Sequence, residues 1–272
     1  DVVGTGTNSF LTGMKPAGLL GHIEPLIILP EAAAPKAWPG GRIPYADTDR
    51  TVIPITASAQ RYFIYNKNLI REGELKTYRD ALNPKYKGKI SIGDPTISGA
   101  GNGFFSRLAH NWLGLEETKD FIQKLLTEQQ AFVTRDYRIQ MEEIAKGKYA
   151  IGLGTQGLNL AHFLPIGAPI ASVPLRDVDV THESGTIAVP KVIPHPHGAK
   201  VFVNWLLTAE GSTVFSRSSG MPVLRLGVPT AGINPLFIPS PNDNLYIDTE
   251  DFVILKGDLM KVFKQIIDTY GK

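Results

Sequence analysis

The sequence predicts an α/β fold, and three observations carry that prediction. Between residues 89 and 174, short apolar runs alternate with helix-length amphipathic segments, the pattern of successive βα units. Two strand-like runs each end in a glycine-rich polar loop that opens into a helix, Gly4-Thr5-Gly6-Thr7-Asn8-Ser9 and Ser98-Gly99-Ala100-Gly101-Asn102-Gly103. At 272 residues the chain exceeds the usual single-core size, so it forms either one large α/β domain or two lobes.

Taken in order, Val2-Val3 reads as a strand, and Gly13 and Pro16 end the helix after the first loop. Residues 21–50 carry Pro25, Pro30, Pro35, Pro39, Gly40, Gly41 and Pro44 without a sustained period and read as surface connection. Strands are expected at 51–55 and 61–65, and a helical segment near 77–82. Then come strand 89–93, helices 102–113 and 116–128, strand 131–134, helix 137–146, strand 149–153, helix 157–163 and strand 171–174. Their alternation predicts parallel strands. Beyond them lie a strand at 185–189, an amphipathic helix at 197–207, a continuation over 208–219 that Gly211 breaks, and a final helix at 258–270. Trp112, Phe202 and Trp205 fall on helical apolar stripes and read as core, whereas Trp38 in its Pro/Gly loop would stack on a ligand or cover the core.

Composition narrows the function. Hydrophobic content of 43% and 20% charged residues are ordinary for a globular protein. No run approaches the roughly 18 apolar residues of a membrane span. Net charge of +2, with no Lys/Arg cluster, argues against nucleic acid and for a small-molecule partner. The absence of cysteine removes disulfides, thiolate nucleophiles and Cys-ligated metal. No P-loop lysine follows Ser98–Gly103, no GxSxG or HExxH occurs, and the Gly4–Ser9 loop lacks the third glycine of a dinucleotide fingerprint. No catalytic residues and no cofactor are therefore expected.

The candidate binding residues lie at strand ends. Ser98, Gly99, Ala100, Gly101 and Asn102 would offer unencumbered N–H groups to an anion at a helix N-terminus; Ser98 acting as a plain N-cap is the alternative. Thr155 and Gln156 follow a strand at the end where open α/β sheets place ligands. Arg135, in Thr134-Arg135-Asp136-Tyr137, presents a guanidinium fork for carboxylate or phosphate, or else pairs with Asp136 or Glu142. Of Arg61 and Tyr62, strand alternation lets only one face a ligand. Thr5, Thr7 and Asn8 form a second polar loop that could equally be helix capping, and Glu183 would meet a ligand amine or hydroxyl or remain a solvated acid. His195 and His197 flank Pro196 without a carboxylate cluster, so no metal site is expected.

The stretch Leu82–Phe104, with Tyr62-Phe63-Ile64-Tyr65-Asn66, Met141–Gly152, Glu183–Pro190 and Ala199–Gly211 in this order, resembles the extracytoplasmic solute-binding proteins of ABC importers. The likeness is to the ferric-iron-like branch of the two-lobed, type 2 periplasmic binding proteins. It implies a ligand cleft between lobes, with residues 1–75 and 185–272 forming lobe I and 76–184 lobe II. It implies that the given sequence lacks an early strand-helix-strand of lobe I, on the order of 60–70 residues. In this branch a Ser-Gly-Ala segment, here Ser98-Gly99-Ala100, binds an anion through backbone N–H and hydroxyl. The branch's paired iron-ligating tyrosines fall here on Gly157 and Leu158, which removes the anionic oxygens that Fe³⁺ needs. The implied function is a monomeric periplasmic or extracellular receptor, free or lipid-anchored through a segment outside the given sequence. It would close on a phosphonate, organophosphate, sugar phosphate or carboxylate and deliver it to an ABC permease. The alternatives are an α/β enzyme of phosphate-containing metabolites, and a binder of an iron complex or a polyamine.

Overall fold

Ile90, Ile92, Ile151 and Leu153 are fully buried β-formers, and they pair at the middle of a five-stranded sheet. The sheet runs Phe132–Thr134, Ile90–Gly93, Ile151–Leu153, Phe63–Asn66, Ile170–Ser172 in spatial order. The first three strands are mutually parallel, as the alternation predicts. Phe63–Asn66 is instead antiparallel to both its neighbours, so the sheet is mixed. The computed structural model describes residues 1–175, 177–181, 185–240 and 242–271, and nothing of the side chains of Thr181 and Leu158.

This sheet belongs to the second of two units, which comprises Gln60–Val178 and Leu255–Lys272; the first comprises Asp1–Ala59 and Asp179–Ile254. The division expected from sequence assigned residues 60–75 and 255–272 to the first lobe, whereas their contacts lie in the second unit. The physical reason is the core they build. Tyr62, Phe63 and Tyr65 pack with Phe104, Phe105, Phe121 and Ile122, and Leu259, Phe263 and Ile266 of the terminal helix join the same cluster. That helix spans Glu250–Tyr270, eight residues longer at its start than the 258–270 expected.

The first unit is antiparallel. Thr186–Pro190 is its spine, flanked by Val3–Thr5 and Val52–Pro54 and paired at its far end with Leu20–Gly21. Asp177–Thr181 lies between Asn244–Ile247 and Ser58–Ala59 in a second, three-stranded sheet. These short strands have no period of their own and are set by their partners. The proline-rich 21–50 segment is not mere surface connection. It folds into short helical turns, among them Pro30–Ala33, Pro35–Ala37 and Pro39–Gly41, and it buries Ile23, Ala32, Trp38 and Ile43 in the unit's main core. Trp38 is core, its indole N–H donating to the Ala32 carbonyl at 2.8 Å.

Two helices depart from expectation. Ala209–Ser219 runs unbroken through Gly211, because a Cβ there would sit 2.0 Å from the Trp205 carbonyl oxygen. Gly211 therefore permits close approach to the preceding Pro196–Leu206 helix and does not interrupt its own. On that preceding helix Phe202 and Trp205 are exposed beside Val201, at 44%, 37% and 71%, so the apolar stripe continues onto the surface. Trp112 does pack against the second unit's core, stacked on Tyr78.

Candidate anion-binding site

The loop from Asp94 to Gly99 leaves the Ile90–Gly93 strand of the second unit and enters the Ala100–Arg107 helix. Its glycines have separate jobs. Gly99 is the N-cap residue, at φ 148°, a conformation that L side chains rarely adopt. Gly101 packs the first helical turn onto the strand, since a Cβ there would lie 2.5 Å from the Gly93 carbonyl. Gly154 closes from the neighbouring strand, its own added Cβ falling 2.9 Å from Gly101 Cα. The glycine run thus presses a helix end against two strand ends.

Asp94 organises the loop from inside. Its buried carboxylate accepts from the Thr96 amide at 2.8 Å and the Thr96 hydroxyl at 2.6 Å through Oδ1. Oδ2 accepts from Arg135 Nε at 2.8 Å. Burial alone would raise the Asp94 pKa, but the hydrogen bonds from Thr96 and Arg135 outweigh it and hold the carboxyl below its usual range. Arg135 therefore pairs with neither Asp136 nor Glu142. Asp136 caps the Tyr137–Ala145 helix by accepting from the Arg138 and Ile139 amides, and Glu142 accepts from Arg138. Arg135 is anchored through Nε alone, and its side chain is 70% exposed. Both terminal guanidinium nitrogens remain available to a planar or tetrahedral anion.

The residue missed in the sequence is Tyr137, two positions after Arg135. Its hydroxyl accepts the Gly101 amide at 3.1 Å, at the helix N-terminus expected to be open. Gly93 and Gly99 make room for it: a Cβ at Gly99 would lie 2.5 Å from the hydroxyl oxygen, and one at Gly93 3.0 Å from the ring. Burial raises the Tyr137 pKa, only partly offset by the amide hydrogen bond from Gly101, so the phenol stays protonated at neutral pH. The available signal was an aromatic residue opening a helix directly after a parallel strand, next to the capping Asp136.

The other expected residues divide between this rim and the interior. Ser98 and Gly99 are exposed, and Ser98 makes no capping hydrogen bond, so the capping alternative does not hold. Ala100 and Gln156 are half-buried. Asn102 is buried, its amide donating to the Pro95 and Lys256 carbonyls at 3.3 and 3.4 Å, which makes it a packing residue. Thr155 is likewise interior: its amide donates to the Tyr62 carbonyl and its hydroxyl to the Arg61 carbonyl. Tyr62 is buried against Phe104 and Gly103. Arg61 and Tyr62 line a cavity of about 20 Å³, room for one water and not for a solute. In the first unit Thr7 is buried, its hydroxyl 2.8 Å from that of Thr186, while Thr5 belongs to the Val3–Thr5 strand. Asn8 precedes a π-helical turn at Ser9–Met14 without capping it, and its buried Oδ1 has no partner among the described residues. Glu183, with His182 and Ser184, lies outside the described residues. Among the described residues, no three His, Asp or Glu side chains converge as a metal site. No helix there is long and apolar enough to cross a membrane.

Comparison with known proteins gives the family and the fold. The family model described as bacterial extracellular solute-binding protein matches residues 1–213. A curated Haemophilus influenzae protein described as uncharacterized is 27% identical over 140 residues, covering 50% of this chain and 38% of its own length. Among solved structures, Trichodesmium FutA in complex with iron and citrate aligns over 100% of this chain and 83% of its own, at 21% identity and TM-score 0.73. A putative extracellular solute-binding protein from Bordetella parapertussis aligns over 100% and 82%, at 15% identity and TM-score 0.75. Iron-bound HitA from Pseudomonas aeruginosa aligns over 98% and 82%, at 20% and 0.69. At these identities the structural likeness establishes the shared two-lobed α/β fold of periplasmic binding proteins.

Proposed function

The chain belongs to the bacterial extracellular solute-binding protein family, and on that premise we propose that it is the receptor of an ABC importer for a small anionic solute. On this reading the receptor lies outside the cytoplasmic membrane, as the family's description supports, and hands its solute unchanged to a permease. One observation carries the anionic class: Arg135 is fixed through Nε on buried Asp94, the first residue of the loop that carries the exposed Ser98 and Gly99, while its side chain is 70% exposed. A guanidinium oriented in this way has lost little freedom still to be lost on binding and matches a carboxylate or phosphorus oxyanion in two hydrogen bonds. Carboxylates, phosphonates, organophosphates and sugar phosphates share that recognition chemistry. We read the receptor as a monomer that binds no nucleic acid.

The test is calorimetric titration of the purified protein with members of each anion class, together with a polyamine and a ferric salt. Saturable binding of one anion class, with the solute recovered chemically intact, is the expected result. Turnover of a phosphorylated compound would instead establish an enzyme. A second reading, iron carriage, is favoured by the iron in two of the similar structures. Against it, Gly157 supplies no phenolate where the paired tyrosines of ferric binders fall. A tight ferric titration with a visible charge-transfer band would restore that reading.

A further inference from the structure

We propose that Tyr137 sets the solute class of this receptor, selecting carboxylates over phosphate and phosphonate. The inference rests on the anion-receptor reading above and goes beyond it to a residue and a preference. The amide that would meet a tetrahedral oxyanion, that of Gly101, is already satisfied by the Tyr137 hydroxyl at 3.1 Å. The phosphate-type cradle at the start of this helix is therefore filled by the protein itself. What remains on the rim is a different donor set.

A hydroxyl that accepts a backbone N–H still has its own proton to donate, and no described residue takes it. Arg135, two residues earlier at the same strand end, offers its terminal nitrogens, anchored through the Asp94 carboxylate. Tyr137 and Arg135 grip the same loop from its two ends, the first on Gly101 and the second on Asp94. A few donors from a planar fork and one phenol suit the two in-plane oxygens of a carboxylate. They leave the third oxygen and the second charge of a phosphate without protein partners, so a phosphate, the more strongly hydrated anion, gives up more hydration for the same contacts. The placement is specific to the tyrosine ring, since both Gly93 and Gly99 would collide with it if they carried a Cβ.

The experiment titrates wild type, Y137F and R135A with succinate and citrate as one probe set and with inorganic phosphate and methylphosphonate as the other. The expected result is wild-type affinity at least tenfold higher for one of the carboxylates than for either phosphorus compound. Y137F should lose about tenfold on the carboxylate, while phosphate binding holds or rises because the Gly101 amide is released. R135A should weaken both sets. Wild-type preference for phosphate or methylphosphonate, or a Y137F variant with unchanged selectivity, overturns the role of Tyr137 while leaving the anion receptor standing. Binding of neither set by the wild type overturns both. Should Y137F fail to fold, Y137M, which also lacks the hydroxyl but fills the space with a flexible side chain, takes its place, and unchanged selectivity in it overturns the role of Tyr137.

Discussion

The two glycine-rich loops look alike as sequence and end as opposites. Each leaves a strand, carries threonine or serine among glycines, and enters a helix. In the first unit the Gly4–Ser9 loop turns inward: the Thr7 hydroxyl meets Thr186 in the interior, and the helix it opens is a single π-helical turn. In the second unit the Asp94–Gly99 loop carries an exposed Ser98 and an arginine held at its rim. The loops themselves do not make this difference. It comes from what the rest of the chain lays on them, Thr186 in one case and Arg135 with Tyr137 in the other.

The same contrast holds for Asp47 and Asp94, buried aspartates that each carry a cation. Asp47 accepts from the Thr51 amide and hydroxyl and from the Val52 amide, and it pairs with Lys15 at 3.0 Å. Lys15 also contacts Asp49 and Glu250, at 3.0 and 2.7 Å, and is largely enclosed. Burial alone would lower the Lys15 pKa, but hydrogen bonds to Glu250, Asp49 and Asp47 outweigh it and raise it. All of the ammonium's donors are spent within the unit, fastening the first turn of the terminal helix. Asp94 instead takes one nitrogen of Arg135 and leaves the others outward. The first pair reads as architecture and the second as recognition.

Four experiments would break or sharpen that contrast. The largest effect is expected from D47A, which takes one of three carboxylates from Lys15 and leaves the Thr51 and Val52 amides and the Thr51 hydroxyl without their acceptor. Loss of about 2–4 kcal/mol of stability in denaturant unfolding follows from these buried donors left unsatisfied, with solute binding unchanged wherever the variant remains folded. Next is G101A, whose Cβ would overlap the Gly93 carbonyl at 2.5 Å. It should cost about 1–3 kcal/mol as an overpacked contact, read as a lower melting temperature, and should weaken anion binding by displacing the helix start.

R135A should invert the D47A pattern. Affinity for the bound anion falls roughly 10–100-fold with the loss of a charge-assisted bidentate contact, while stability falls by only about 1–2 kcal/mol, because the buried Asp94 carboxylate loses the guanidinium but keeps its two Thr96 donors. A large loss of stability in R135A would make that residue architectural too and erase the distinction. The smallest effect concerns pH. Burial raises the pKa of Asp47, but hydrogen bonds led by those from Thr51 and Lys15 lower it below the unfolded value, as Thr96 and Arg135 do for Asp94. The stability these groups contribute is present above the unfolded value of about 3.9 and is lost as pH falls through the lower folded values. Acid titration should therefore show a loss of stability below about pH 4 that is reduced in D47N, while carboxylate binding stays flat between about pH 6 and 9 because burial keeps the Tyr137 phenol protonated across it.

The central βα alternation was legible because buried parallel strands and amphipathic helices each write their period into adjacent residues. Ile90–Gly93, Phe132–Thr134 and Ile151–Leu153 lie within a residue or two of where the sequence puts them. The Leu20–Gly21, Ser58–Ala59 and Asn244–Ile247 strands were not legible, since two to four residues hold no period and owe their pairing to distant partners. Residues 21–50 misled for a related reason: prolines forbid a long helix but not burial, and Ile23 and Trp38 find their core through contacts far along the chain. At the candidate site, Ser98, Gly99 and Arg135 were visible as residue types at a strand end. Tyr137 showed only as an aromatic opening a helix after a parallel strand, and nothing in its neighbours marks the amide it meets 36 residues away.

By itself, then, the sequence determined the α/β class, the glycine loop after the Ile90–Gly93 strand, and an arginine close to it. These are local matters of period, backbone freedom and charge. Only the tertiary structure decided which groups are spent and which are left over. It closed the first unit's loop on Thr186, enclosed Lys15 among carboxylates, filled the Gly101 amide with Tyr137, and left the ends of Arg135 in water. Hydrogen-bond satisfaction is a property of partners brought together from across the chain, and no window of neighbouring residues records it.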